Sequence, residues 1–300
     1  MKTLNKTLLM LLLPITILVA DNPKTLSQLD FSSLVNDFME EDNILKKTIN
    51  LSGKQRMFTQ RMSKLALQVS LKVKEEESRK KLEKFSSLYA KTLKAFKEGD
   101  TDLGIQKATN AKVLEQIAVV EKVWKPFEEQ IKIIASGKDD GKALKYVIDH
   151  NEKILSVSNE LVQRYEASNT SGNYLEKARL RVVNIAGRQR MLTQKMTKEK
   201  LLLLKGKKEY TSKLNETIKL FDTSLTALIK GDKSQNISNP TNEKIIKQLK
   251  VVSKIWGHLK PLYEKKKNTP KELATIITKN TLLLKEMNAM VQMAEKEVEY

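Results

Sequence analysis

A glycine, an arginine one turn later and a glutamine one turn after that, Gly53, Arg56 and Gln60, occur in the run NLSGKQRMFTQRMSK from Asn50 to Lys64. On a helix, spacings of three and four put these residues and Ser63 on one face. Arginine presents a planar fork of donors that suits a flat oxyanion. Glycine inside a helix costs about 1 kcal/mol relative to alanine and is retained where a backbone or a ligand comes close. The chemistry on offer is the holding of a small anion. The run returns as NIAGRQRMLTQKMTK from Asn184 to Lys198, with Asn, Gly, Gln-Arg-Met, Thr-Gln, Met and Lys identical. Gly53, Arg56, Gly187 and Arg190 are therefore the candidate ligand-binding residues. Asn50, Gln55, Gln60, Asn184, Gln189 and Gln194 are candidates for a layer around them.

Blander readings exist for each of these residues. The glycines could merely let a neighbouring helix pass, the arginines could pair with glutamates, and the Gln and Thr positions could face solvent. Identity in both copies favours the binding reading, because packing preserves size and polarity rather than identity. Met57, Met62, Met191 and Met196 read as core, and Trp124 and Trp256 as packing anchors. His150 and His258 occupy unmatched positions without a second ligand at helical spacing, so no metal site is expected. No paired nucleophile and base and no phosphate-cradling glycine loop occur. The chain reads as a non-enzyme without catalytic residues or cofactor.

These residues need long helices to carry them, and the sequence supplies the pattern. Leu, Lys, Glu, Ile and Ala dominate, with ten glycines and six prolines among 300 residues, which points to an all-α fold. The repeat extends well beyond the run. FKEGD ending at Asp100 recurs as IKGD ending at Asp232, VVEKVW ending at Trp124 as VVSKIW ending at Trp256, and ILSVSNELVQ from Ile154 as LLKEMNAMVQ from Leu283. A tandem duplication follows. Apolar periodicity and turn signals divide each copy into helices, near 28–73, 76–97, 105–134 and 140–167, then 175–206, 210–230, 242–266 and 270–298. Thr269-Pro270-Lys271-Glu272 has the form of a capping box with proline at the first helical position. Pro126 and Pro261 should kink or split the third helix of each copy. The expected architecture is two tandem antiparallel four-helix bundles, at residues 21–168 and 173–300, joined across Ser168 to Asn173.

Residues 1–20 read as a signal peptide, with Lys2 and Lys6 ahead of an apolar run that is too short to span a bilayer. An exported, periplasmic protein is expected. Zero cysteines exclude disulfides and thiolate sites. The formal net charge of +19 favours anionic partners, but no nucleic-acid-binding pattern accompanies it.

The phrase Asn-x-x-Gly-x-Gln-Arg-Met-x-x-Gln-x-Met, present at Asn50 and again at Asn184, resembles the signature of the PilJ-type sensory domain of type IV pilus chemotaxis transducers. It is similar to that of the nitrate and nitrite sensing domain of NarX histidine kinases. The resemblance implies a periplasmic four-helix bundle with the signature on its first helix. It also implies nitrate or nitrite as ligand, held between two subunits by an arginine from each, here Arg56 and Arg190. Neither copy is followed in this sequence by a membrane-spanning helix or a signalling domain. The expectation is a soluble oxyanion-binding protein, monomer or homodimer, that reports to a membrane-bound receptor or kinase. The alternative is a helical interaction module of an envelope or pilus-associated system without a small ligand. A single chain carrying the domain twice could build the shared anion site internally, unless the short junction holds the two signature helices apart.

Overall fold

The computed structural model describes residues 26–168 and 174–296, with side chains at 47–168 and 180–296. The signal-peptide reading and most of the junction fall outside the described residues. The chain divides into a small unit, Met1–Glu41, described only as helix from residue 26, and a large one, Asp42–Tyr300.

The helices are α1 (Leu26–Ser70), α2 (Glu75–Glu98), α3 (Ala111–Ala135), α4 (Lys142–Ser168), α5 (Tyr174–Leu204), α6 (Tyr210–Lys230), α7 (Glu243–Glu264) and α8 (Pro270–Lys296). Among the described residues there is no strand, only the isolated bridges Asp100↔Ile105 and Asp232↔Ile237. The all-α bundle architecture is as the sequence indicates. Caps explain the boundaries. Asn110 accepts from the backbone N–H of Lys112 and Val113, and Asn242 from Lys244 and Ile245, each satisfying donors that the first turn leaves free. Thr269 and Glu272 exchange bonds at the start of α8, the Glu272 N–H donating to Thr269 Oγ1 and the Thr269 N–H to Glu272 Oε2.

Two expectations need correction. The third helix begins at Ala111 rather than near 105, because Ile105 and Asp100 exchange backbone bonds across a closed turn and Asn110 supplies the cap. Of the two outcomes expected at Pro126 and Pro261, a kink or a split, the split does not occur, and both helices run on through the proline. In α3, Trp124 and Phe127 on either side of the proline are anchored in the core, and one lost backbone bond does not outweigh that packing.

Within the first copy, α1 packs on α2 through Phe58 and Phe85, whose rings lie 5.5 Å apart, and α2, α3 and α4 follow in order. The second copy repeats the cycle with α5, α6, α7 and α8. The copies meet along α1 and α5. Arg56 reaches Asn184, Lys64 reaches Gln194 and Lys205 reaches Ser70, so these helices lie side by side and run the same way, with the short junction holding neither apart. Helices α4 and α8 run antiparallel to both and bond to both, Asn151 to Thr59 and Lys198, Asn280 to Thr193 and Lys64. Consequently the signature stretches of α1 and α5, 50–64 and 184–198, lie in the interior, and their Gln and Thr positions are buried rather than solvated.

Candidate functional site

At the crossing of α1 and α5 the two arginines face one another. Arg56 and Arg190 are only 2% and 1% exposed. A Cβ placed on Gly53 would lie 3.3 Å from Arg56 Nη2 and 3.7 Å from Arg190 Nη2, and one on Gly187 would lie 3.4 Å from Arg190 Nη2 and 3.7 Å from Arg56 Nη2. The glycines thus leave the room in which the two guanidinium tips converge, the use of glycine expected from its lack of a side chain.

Each guanidinium is held across the copies by the same set. Arg56 Nη2 donates to Asn184 Oδ1 at 2.6 Å and more weakly to the Asn184 carbonyl at 3.4 Å, while its Nη1 donates to Asn159 Oδ1 at 3.0 Å. Arg190 Nη2 donates to Asn50 Oδ1 at 2.8 Å and to the Asn50 carbonyl at 3.3 Å, and its Nη1 to Asn288 Oδ1 at 3.0 Å. All of these acceptors are neutral. Behind them, Asn184 Nδ2 donates to Glu166 at 2.8 Å and Asn50 Nδ2 to Glu295 at 2.6 Å, so each carboxylate stands one side chain away from the cation. The Nε of each arginine is buried without an acceptor among the described residues, and a guanidinium has five N–H donors to place.

The electrostatics follow from burial and like charge. Desolvation pushes Arg56 down to about 10, partly opposed by Glu166. Arg190 falls to about 9, through burial first and then the facing Arg56. Burial also raises Glu166 and Glu295 above the ordinary carboxylate range in spite of the surrounding cations. Lys54 and Arg188, the neighbouring pair that differs between copies, are lowered as well, chiefly by burial. The site is therefore electropositive and largely desolvated, with donors to spare.

The other candidate residues separate. Asn50 and Asn184 touch the arginines directly. Gln55 and Gln189 turn away, donating to the backbone carbonyls of Tyr89 and Phe221 to tie each signature helix to the next one in its copy. Gln60 and Gln194 lie about one turn further along, each bonded to its neighbouring threonine, and Gln194 also accepts from Lys64. Asn159, Asn288, Glu166 and Glu295 were not singled out by sequence reasoning. The signal was present: Asn159 and Asn288 align within ILSVSNELVQ and LLKEMNAMVQ, and Glu166 and Glu295 follow at the same spacing. Trp124 packs on Tyr89 with ring centroids 4.1 Å apart, and His150 and His258 bond to backbone carbonyls one turn back at the surface.

Among the described residues no group of side chains is arranged to hold a metal ion, and no helix is long and apolar enough to cross a membrane. The family model for the type IV pili methyl-accepting chemotaxis transducer N-terminal domain, PilJ, matches residues 40–149 and 177–277. The methyl-accepting chemotaxis protein McpN of Pseudomonas aeruginosa is 31% identical over 113 residues, covering 37% of this chain and 21% of that protein. The match thus spans about a fifth of this relative's length. No solved structure matches. The two matched segments carry the two signature helices and take in most of both repeats, and on that ground the chain belongs to the PilJ family.

Proposed function

We propose that this chain is a non-catalytic, exported sensory protein that binds one small planar oxyanion, nitrate or nitrite, between Arg56 and Arg190, and presents its occupied or empty state to a membrane-bound chemosensory partner. The observation that carries the reading is the convergence of two buried guanidiniums, one from each copy, on neutral acceptors with glycines at the contact. Two like charges brought together out of water are costly. An anion accepting from both would relieve the repulsion and use donors that the protein leaves free, through charge-assisted bonds that are strongest in a desolvated site. A planar oxyanion matches the flat fork of arginine. Family membership and the likeness to a chemotaxis receptor support the sensory role.

Thermal melting with added nitrate or nitrite tests it. A ligand that binds only the native state adds about 2.7 kcal/mol at a hundredfold excess over Kd, which raises the melting temperature. Because one anion uses both arginines, Arg56→Ala and Arg190→Ala should each abolish the shift rather than halve it; loss of one partner of such a buried charged contact commonly costs about 2–5 kcal/mol. A wild-type protein indifferent to both anions would leave the helical interaction module as the better reading.

A further inference from the structure

The two copies differ one to two turns beyond the arginines, and the difference creates a second cationic site. In one half, Lys198 of α5 donates to Asn151 Oδ1 at 2.6 Å and to Glu152 Oε1 at 3.3 Å. Lys195 lies 3.7 Å from Glu152 Oε2 and 3.8 Å from Glu199, a residue with no exposure. The lysine pair of the second copy is thus neutralised by the protein's own carboxylates.

In the other half the corresponding cations are Lys64 and Arg61 of α1. Lys64, 5% exposed, donates to Gln194 Oε1 at 2.6 Å and to Asn280 Oδ1 at 3.2 Å, both neutral, and an ammonium has a third donor. Arg61 lies over the Phe85 ring at 4.0 Å, and its buried Nε has no acceptor among the described residues. By the repeat, the place of Glu152 is taken by Thr281 and that of Glu199 by Leu65. Neither can neutralise the pair. Burial first, then Arg61 and Lys81, hold the Lys64 amine well below its ordinary value.

These residues line a cleft of about 350 Å³ between α1, α2 and α8, whose rim carries Lys74, Lys81 and Lys285 against the single carboxylate Glu77. Glu77 already pairs with Lys81 and, at 3.8 Å, with Lys74. We propose that this cleft is a second binding site, for a short organic dicarboxylate, with Lys64 and Arg61 receiving one carboxylate as Lys198 and Lys195 receive Glu152. The size is at the small end for ligand pockets. Leu65, Ile277 and Leu282 in the lining suit a short methylene spine, and the rim lysines suit the second acid group. The protein shows the recognition chemistry in its other half, where a carboxylate bridges the equivalent cations.

The test uses the full chain, succinate as probe, and calorimetry with thermal melting at fixed ionic strength. Succinate should bind saturably, with one molecule per chain, unaffected by saturating nitrate and by Arg190→Met, which keeps this site separable from the one at the arginine pair. Thr281→Glu restores the missing carboxylate at an exposed position. It should weaken succinate at least tenfold, raise the melting temperature of the ligand-free protein and leave the nitrate response unchanged. Lys64→Met should also weaken succinate. No saturable binding, an undiminished response in Thr281→Glu, or equal binding of inorganic phosphate, which would mean charge attraction alone, would each overturn the assignment.

Discussion

Arg190 bears the heavier burden of the pair, because both burial and the facing Arg56 disfavour its charge. The side chain keeps its proton through the ordinary pH range, so the cost of burying the charge is present in the folded state throughout. Removing the arginine alone does not recover that cost, because Asn50 Oδ1 and Asn288 Oδ1 are then left without their donor, and a buried polar group left unsatisfied costs about 1–3 kcal/mol. Arg190→Met should therefore destabilise the ligand-free protein, and Arg190→Met combined with Asn288→Leu, which removes one orphaned acceptor, should recover part of the loss. Denaturant titrations of both variants measure it, and a double variant less stable than the single one would contradict the account. The glycines act at the same scale: a methyl group at either position would press on a guanidinium tip that is already fixed by asparagine bonds.

The signature stretches of α1 and α5 are unusual, because they bury many polar side chains, among them Gln55, Thr59, Gln60, Gln189, Thr193 and Gln194. Two asparagines of α4 and α8 make this tolerable. Asn151 donates to the Thr59 carbonyl and to Ser63 Oγ while accepting from Lys198 of the other copy. Asn280 donates to the Thr193 carbonyl and to Tyr263 while accepting from Gln194 and from Lys64 of the other copy. Each thus links a signature helix of its own copy to a lysine of the other. Their loss should not be equivalent. Without Asn151, Lys198 retains Glu152, whereas without Asn280, Lys64 retains only the neutral Gln194. Leaving a buried polar group unsatisfied costs about 1–3 kcal/mol, and more when it is charged. Asn280→Ala should destabilise by more than about 3 kcal/mol and Asn151→Ala by roughly 1 kcal/mol less, read from chemical denaturation. Equal losses would show that Glu152 contributes little to holding Lys198.

At the scale of the molecule, duplication places in one chain the two helices that build the arginine site. Asn50 serves Arg190 and Asn184 serves Arg56, so neither repeat holds a complete set by itself. The proposed oxyanion should accordingly bind with a stoichiometry of one per chain, to a species that sediments as a monomer. Calorimetry paired with analytical ultracentrifugation decides this. Two ions per chain would mean independent sites, and binding confined to a dimer would mean that the arginines act between chains. The repeats are also not interchangeable. Glu152 and Glu199 stand beside Lys195 and Lys198, while Thr281 and Leu65 leave Lys64 and Arg61 without a carboxylate, the group that the proposed dicarboxylate would supply.

Much of this was legible in the sequence. Local periodicity and the asparagine, glycine and proline signals act over a few residues, so the helices, most of their ends and the duplication could be read directly. The repeated Gly-x-x-Arg also marked the arginine site, because a residue type kept in two diverging copies reports a local need. Contacts between distant segments were not legible. That Asn159 and Asn288 hold the guanidiniums, that Gln55 and Gln189 turn away to neighbouring helices, and that Pro126 and Pro261 remain within unbroken helices depend on which faces meet in space. The sequence by itself determined the helical elements, the twofold repetition and the repeated glycine–arginine pattern, since these depend on local chemistry and spacing. Only the tertiary structure decided that α1 and α5 lie parallel with their signature stretches buried between α4 and α8, because that arrangement is set by the packing of α4 and α8 against both; it is this burial that removes water from Arg56, Arg190 and Lys64 and makes their charges consequential.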